Sequence, residues 1–382
     1  MKFKTKGSEL NNVLSTVIKG FNNKEDNSYV ALSLDVDENK LNITARSRAT
    51  FFEGAVDVHS VEVHEDEPTV YHLDGVKLKQ LVSILPSAPI DVAFEISDKT
   101  RSFMIKTAVS KYKLPVLSET PLAPTPEVTE LATVDANDLM KVIKDLIKIV
   151  STNPSHQEHP ISCMHFNVSE DNMKLTATDT YALGSVTIDS SGIDIDEEGR
   201  DVLIRHTEVS TLVNTFNTGE TLTIVDAKGM FGYIDEEGTL ALVGEVDLVP
   251  LDVSPIQSFT RKDNVVELEK SELTSAIETV AKLSPSDETV DLHLEEGQVR
   301  VSNRYGDYID VNVSEDKLDS PGTASFATSV LLKAISPANN GKIRLELGEL
   351  TEGSQGVLNV VSLHADDSED ENASLIAARL NG

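Results

Sequence analysis

Residue types that could hold a metal ion stand in two places. "DVDENKLNITAR" (Asp35–Arg46) opens with Asp35, Asp37 and Asn39 at the spacing of a calcium loop. Such a loop also needs a glycine at its sixth position and an acid at its twelfth. Lys40 and Arg46 stand there instead, so the stretch is expected to be a hairpin turn. "HQEHP" (His156–Pro160) has two histidines three apart, but no helical pattern and no third ligand of obvious placement. The single cysteine, Cys163, falls within an apolar strand-like run and is expected to pack rather than react. "DSEDEN" (Asp367–Asn372) has the composition of a solvated loop. With 64 acidic residues an acid–base pair can be drawn almost anywhere, and no spacing singles one out. Gly-x-Ser-x-Gly, phosphate-loop and dinucleotide fingerprints are all absent. The sequence therefore leads to no catalytic residue, no metal and no cofactor.

Two other features carry more. In "ANDLMKVIKDLIKIV", Lys141, Lys144 and Lys148 recur at i, i+3 and i+7, while Val142, Ile143, Leu146 and Val150 take the opposite face. This predicts a helix over 135–151 with a lysine stripe turned from the core. The net charge of −31, from 33 Lys and Arg against 64 Asp and Glu, argues at first against nucleic acid, because phosphates must be neutralised. The distribution reverses that argument. Six helices are predicted, over 7–21, 74–85, 135–151, 205–217, 269–284 and 327–338. Together they carry ten basic and nine acidic residues, so nearly all the excess negative charge lies outside them. One lysine-rich helix face is explained by solubility alone; six nearly neutral helices in so acidic a chain favour a phosphate-facing surface. The second feature is "KLTATDTYALG" (Lys174–Gly184), where small and polar residues interrupt what begins and resumes as a strand.

The elements that would position these residues occur three times. "SELNNVLSTVIKGF", "ANDLMKVIKDLIKIV" and "KSELTSAIETVAKLS" are amphipathic helices, each expected to open on a capping residue. Each follows a short strand: "MKFKT", "ELATVD" and "NVVELE". Each precedes a hairpin, with turns at Asp37–Asn39, Ser169–Asn172 and Glu295–Gly297. A second strand–helix pair comes next: "YHLDGVKLKQLVSILP", "VLIRHTEVSTLVNTFN" and "ASFATSVLLKAISPAN". Further strands complete each copy. Each copy is thus roughly a domain's length, with two helices and antiparallel sheets. Linkers rich in proline or polar residues, "LSETPLAPTPEV" (Leu117–Val128) and "VPLDVSPIQSFTRKDN" (Val249–Asn264), divide the chain into domains over 1–125, 126–258 and 259–382.

This triple α+β unit resembles the β subunit of bacterial DNA polymerase III, the sliding clamp. "LTATDTYALG" (Leu175–Gly184) is similar to that family's Ala-Thr-Asp-Gly-His-Arg-Leu-Ala stretch, and Arg379-Leu380 to its C-terminal end. The match is specific only over Ala177–Asp179, Leu183 and Arg379-Leu380. Elsewhere it rests on the order of elements, as expected of a divergent bacterial or phage member. The resemblance implies a head-to-tail homodimer closing a ring, with helices inside and sheets outside. The ring encircles double-stranded DNA without reading its sequence and acts as a non-catalytic processivity factor. On that reading Lys19, Lys24, Lys77, Lys79, Lys141, Lys144, Lys148, Arg205, Lys270, Lys282 and Lys333 face DNA. The family's cleft between the second and third domains takes short peptides of polymerases and the clamp loader. Carried over by position, its wall is Ile161, Thr178, Thr180, Tyr181, Leu183, Pro250, Leu375, Ile376, Arg379 and Leu380. Thr180-Tyr181-Ala182 replaces the family's Gly-His-Arg, which alters the cleft's shape. The homodimer edges are expected near Ser102–Lys106 and Leu294–Val301.

The N-terminus has charges and no apolar core of a signal peptide, and no run approaches the ~18 apolar residues of a membrane span, so no membrane role is expected. A lone cysteine fits a reducing, cytoplasmic setting. The competing account is an acidic, repeat-built interaction scaffold with no DNA role. It explains the repeats and the charge but not the nearly neutral helices.

Overall fold

The computed structural model of the chain describes residues 2–22, 24, 28–63, 70–82, 84–85, 91–97, 102–118, 124–192, 199–215, 221–257, 264–284, 288–319, 322–338, 341–347, 357–363 and 373–378. Arg379 and Leu380, the acidic Asp367–Asn372 and parts of both proposed linkers lie outside them.

The described helices are α1 (Gly7–Val17), α2 (Gly75–Val82), α3 (Ala136–Leu146), α4 (His206–Val213), a single turn α5 (Ser254–Gln257), α6 (Lys270–Leu283) and α7 (Thr328–Ile335). Leaving α5 aside, each follows a strand, with a single residue, Asp74, between strand and helix at α2 and none elsewhere. α1, α3 and α6 follow Lys2–Lys6, Val128–Asp135 and Asn264–Glu269. α2, α4 and α7 follow Val70–Leu73, Arg200–Arg205 and Gly322–Ala327. The hairpins fall where the turn residues put them, as in Tyr29–Asp35 with Lys40–Arg46 and Thr289–Glu295 with Gln298–Ser302. The expected caps differ. Ser8 and Ser271 sit inside the first helical turn, and the N-caps Lys6 and Glu269 make no side-chain hydrogen bond. The strand runs into the helix without a loop, so the first turn takes its place from the sheet. Of the three helices expected to open on a cap, α3 has one, where the Asn137 N–H donates to Asp135 Oδ1 at 2.8 Å; Asp74 caps α2 in the same way, accepting from the Lys77 N–H at 3.0 Å.

The helices sit where they do because each has one apolar stripe to bury. Leu10, Val13, Leu14 and Val17 of α1 are buried and pack on strands Lys40–Arg46 and Thr50–Asp57. Leu273, Ala276, Ile277 and Val280 of α6 are buried, and α6 packs beside α7. α7 buries Val330, Leu331, Ala334 and Ile335 and lies on strand Ala373–Ala378.

The chain divides into two compact units. One is Met1–Asn137 with Ser190–Glu198 and Thr207–Val246; the other is Asp138–Asp189 with Gly199–His206 and Asp247–Gly382. The elements of the central copy are shared between them. Inside the first unit, strand Leu240–Gly244 pairs antiparallel with Thr50–Asp57, so one sheet runs across elements of the first two copies. Inside the second, Ala182–Gly192 pairs with Ala373–Ala378, Leu183 opposite Ile376, and joins elements of the last two copies in the same way.

The strands expected at homodimer edges are interior. Ser102–Lys106 is hydrogen-bonded to Asp91–Ser97 on one side and to Lys111–Ser118 on the other. Leu294–Val301 is the hairpin turn of a four-stranded sheet ordered Tyr308–Asn312, Gln298–Ser302, Thr289–Glu295, Gly322–Ala327, and both of its arms are flanked by partners. Neither stretch therefore leaves a sheet edge open for a second chain. Among the described residues, the outer sides of Lys111–Leu114 and Tyr308–Asn312 are open. No described helix is long and apolar enough to cross a membrane.

Candidate nucleic-acid interface and peptide groove

The polar faces of the helices carry the expected lysines. α3 ends at Leu146, short of the predicted helix, and 147–150 continue as turns; the Ile149 N–H donates to the Leu146 carbonyl. Lys141 and Lys144 are exposed on α3, and Lys148 is exposed on the turn that follows. Lys148 Nζ lies 2.8 Å from Asp145 Oδ1 and donates to Ser336 Oγ at 3.0 Å, which ties the end of α3 to the end of α7.

Lys148 lies in a basic groove of about 330 Å³, lined with it by Lys270, Thr274, Glu278, Ser329, Leu332, Lys333 and Ser336. Lys270 sits half-buried in the first turn of α6, where its ammonium donates to the carbonyls of Ser336 and Ala338. Burial pushes its pKa below the ordinary lysine value; the positive charges of Lys141 and Lys148 push the same way, against the pull of Asp145. Lys333 Nζ lies 2.6 Å from Asp179 Oδ2. The groove thus gathers three cations, three hydroxyls and one carboxylate on the solvent side of a helix pair. That donor set suits phosphate oxygens, contacts that carry no sequence information.

The other basic residues are spread out. Lys24, Lys77, Lys79 and Lys282 are exposed, with Lys77 3.8 Å from Asp74 and Lys282 3.4 Å from Glu278. Lys19 is half-buried, its ammonium bonded to the Asn214 carbonyl, and burial lowers its pKa. Arg205 is half-buried at the end of its strand.

The residues read as a peptide cleft separate into two kinds. Ile161, Leu183, Leu375 and Ile376 are buried, the last three within the paired strands that join the copies. Thr180 and Tyr181 project at the turn, with Tyr181 62% exposed. Thr178 and Pro250 are half-buried. Thr178 lines a shallow depression with Pro160, Cys163, His165, Leu203, Leu251 and Val253. The sequence argument missed Leu251, Val253 and His165. The apolar "VPLDV" within an otherwise polar linker was the available signal for the first two. His165 is held by a 2.6 Å contact from Nε2 to Asp201 Oδ1, a cross-strand pairing with no local trace in sequence.

The interruption itself is a turn built by Asp179. Its Oδ1 accepts from the N–H groups of Tyr181 at 3.0 Å and Ala182 at 2.8 Å. The Asp179 N–H donates to the Ala182 carbonyl, and Thr178 Oγ1 donates to the same carbonyl. Thr180 is forced to φ 80°, a left-handed backbone that β-branched residues rarely adopt. His156 and His159 lie with ring centroids 6.5 Å apart, and among the described residues no group of three His, Cys, Asp or Glu is placed to hold a metal.

No protein-family model matches the sequence, and no curated protein matches it. Solved structures do. The DNA polymerase III subunit beta of Pseudomonas aeruginosa is similar with a TM-score of 0.82 at 16% identity, covering 100% of both chains. The DNA polymerase sliding clamp of Bacillus subtilis gives 0.82 at 16% identity, covering 100% of this chain and 99% of that one. The DNA polymerase III beta subunit of Thermotoga maritima gives 0.81 at 15% over the same shares. With its strand–helix order repeated three times and its sheets continued from copy to copy, the chain has the fold of the DNA polymerase III β sliding clamps.

Proposed function

We propose that this chain is a DNA sliding clamp, a non-catalytic subunit that encircles duplex DNA and tethers a polymerase to it. The observation that carries the reading is the full-length likeness to clamps, 100% of either chain at a TM-score of 0.82. The basic groove of Lys148, Lys270 and Lys333, in a protein of net charge −31, supports it. Phosphate contacts of this kind are independent of sequence and weaken with salt, which suits a ring that slides. The acidic remainder of the surface would repel DNA from the wrong face.

The domains are 1–125, 126–258 and 259–382, and two chains pair head to tail. The open edges Lys111–Leu114 and Tyr308–Asn312 are the candidates for that pairing: Lys111 and Lys113 project from the first, while Asp307 and Asp310 stand at the second. Backbone donors and acceptors left open at a sheet edge are satisfied by such an added strand. Partner peptides of a polymerase and a clamp loader lie against Thr178, Thr180, Tyr181, Pro250, Leu251 and Val253, with Arg379 and Leu380 contributing from the C-terminus. The protein works in the cytoplasm.

The ion pairs of Lys148 and Lys333 favour one other reading, in which the lysines only knit an acidic scaffold together. Sedimentation separates the two. The clamp requires a dimer at twice the 41.5-kDa chain mass that binds a short duplex with a steep salt dependence. A monomer indifferent to DNA at low salt contradicts the clamp.

A further inference from the structure

Lys333 touches both sites of the proposed function. It lines the basic groove with Lys148 and Lys270, and it pairs with Asp179, the residue that builds the Tyr181 turn. The pair is largely enclosed, with the side chain of Asp179 12% exposed and that of Lys333 30%. One Asp179 oxygen holds the Tyr181 and Ala182 amides, and the other takes the ammonium. The Tyr181 carbonyl in turn accepts from the Ala378 N–H at 2.7 Å, so the turn is also tied to the end of strand Ala373–Ala378.

We propose that Lys333 couples the two sites: a DNA phosphate entering the groove draws the ammonium from Asp179, and the turn presenting Tyr181 rearranges. This rests on the clamp reading of both sites. Three properties make the coupling physical. A lysine carries a point charge on a flexible four-carbon stem, so it can exchange one anion for another without moving its helix. Three cations share the groove, Lys148 beside Asp145 and Lys333 beside Asp179, and a phosphate within reach of all three adds a shared counter-charge that neither carboxylate supplies. The turn, finally, is under tension. Thr180 at φ 80° is kept there only while the bonds around it over-determine the backbone, so a carboxylate that loses its cation releases a strained element. That is a two-state element which both sites bias. Linkage makes the effect reciprocal, so a peptide that holds Tyr181 in its present position weakens DNA binding, by about fivefold at the low end of ordinary coupling.

The chain contains no tryptophan, so Tyr181→Trp places a unique reporter on the turn. The full-length Tyr181→Trp protein is titrated with a short blunt DNA duplex bearing an end label. Label anisotropy reads binding and tryptophan emission reads the turn. The coupling predicts an emission shift that saturates together with the anisotropy. Adding Lys148→Met weakens binding but preserves the shift at saturation, because Lys148 does not touch Asp179. Adding Lys333→Met weakens binding comparably and abolishes the shift. Binding without a shift, or a shift that survives Lys333→Met, overturns the coupling and leaves the DNA reading intact. No anisotropy change at low salt removes the DNA reading and the coupling with it.

Discussion

Replacing Thr180 by glycine should stabilise the second compact unit, although it removes a side chain. At φ 80° a β-branched residue brings its Cβ against the following carbonyl, at a cost of about 1–2 kcal/mol. The bonds that hold the turn come from elsewhere. Asp179 Oδ1 binds the next two amides, and the Thr180 N–H, which glycine keeps, donates to Thr178 Oγ1 at 3.2 Å. The Thr180 hydroxyl makes no hydrogen bond among the described residues, so its loss removes little. Against the relief stands the extra freedom glycine gives the unfolded chain, roughly 0.5–1 kcal/mol. The net gain is on the order of 0.5–1 kcal/mol. A urea slope of about 2–3 kcal/mol/M, usual for a unit of this size, makes that a midpoint shift of about 0.3 M. Circular dichroism in urea, fitted to the transition of the second unit, reads it. Asparagine tolerates the left-handed region and should also rank above threonine, whereas valine keeps the branch and should not. A glycine variant less stable than the parent, or a valine variant more stable, refutes the strain argument.

Other parts of the chain make equally definite predictions. A Cβ at Gly232 would meet the Ala241 carbonyl oxygen at 1.8 Å and the Leu242 Cα at 3.0 Å, both backbone of the adjacent strand. Gly232→Ala should therefore cost about 3 kcal/mol or more, seen as a sharp fall in the thermal unfolding temperature of the first unit. Arg344 bonds Glu267, whose side chain is only 7% exposed, at 2.7 Å. Arg344→Met leaves that carboxylate buried without its cation and should cost about 3 kcal/mol, most of it recovered when Glu267→Gln is added. Burial lowers the Lys270 pKa, so the folded chain releases this proton before the unfolded chain does. Between that lowered value and 10.5 the unfolded chain binds more protons, and stability rises with pH. A pH series of urea midpoints should lose that rise in Lys270→Met. Duplex binding by the parent should also fall off at a lower pH than binding by Lys270→Arg, whose charge persists.

The threefold order of strands and helices was legible because it rests on local signals. The 3.6-residue spacing of Leu139, Ile143 and Leu146, and turn residues such as Glu295–Gly297, act within a few positions of themselves. The end of α3 was not legible. The apolar spacing runs on through Ile149 and Val150, which are buried although 147–150 are turns, so periodicity alone could not mark where the hydrogen-bond pattern changes. The lysine stripe was visible, but its pairing was not. Lys148 meets Ser336, and Lys333 meets Asp179, across more than a hundred residues of sequence. Sheet edges were misplaced for a related reason, since a strand's alternation says which face is buried and not whether both sides are paired. The Thr-Asp-Thr-Tyr interruption did announce a turn. Its unfavourable backbone at Thr180 follows from the two amides that Asp179 collects, a geometry no composition rule contains.

Retention of the protein on DNA of different topology tests the central claim most directly. The protein is loaded on nicked circular DNA, moved to raised salt and followed by gel filtration before and after the circle is cut. A ring held by topology stays on the circle in salt that dissolves simple phosphate contacts and leaves once the DNA has an end. Protein that leaves both forms alike in raised salt, or stays on the linear form as firmly as on the circle, contradicts the clamp.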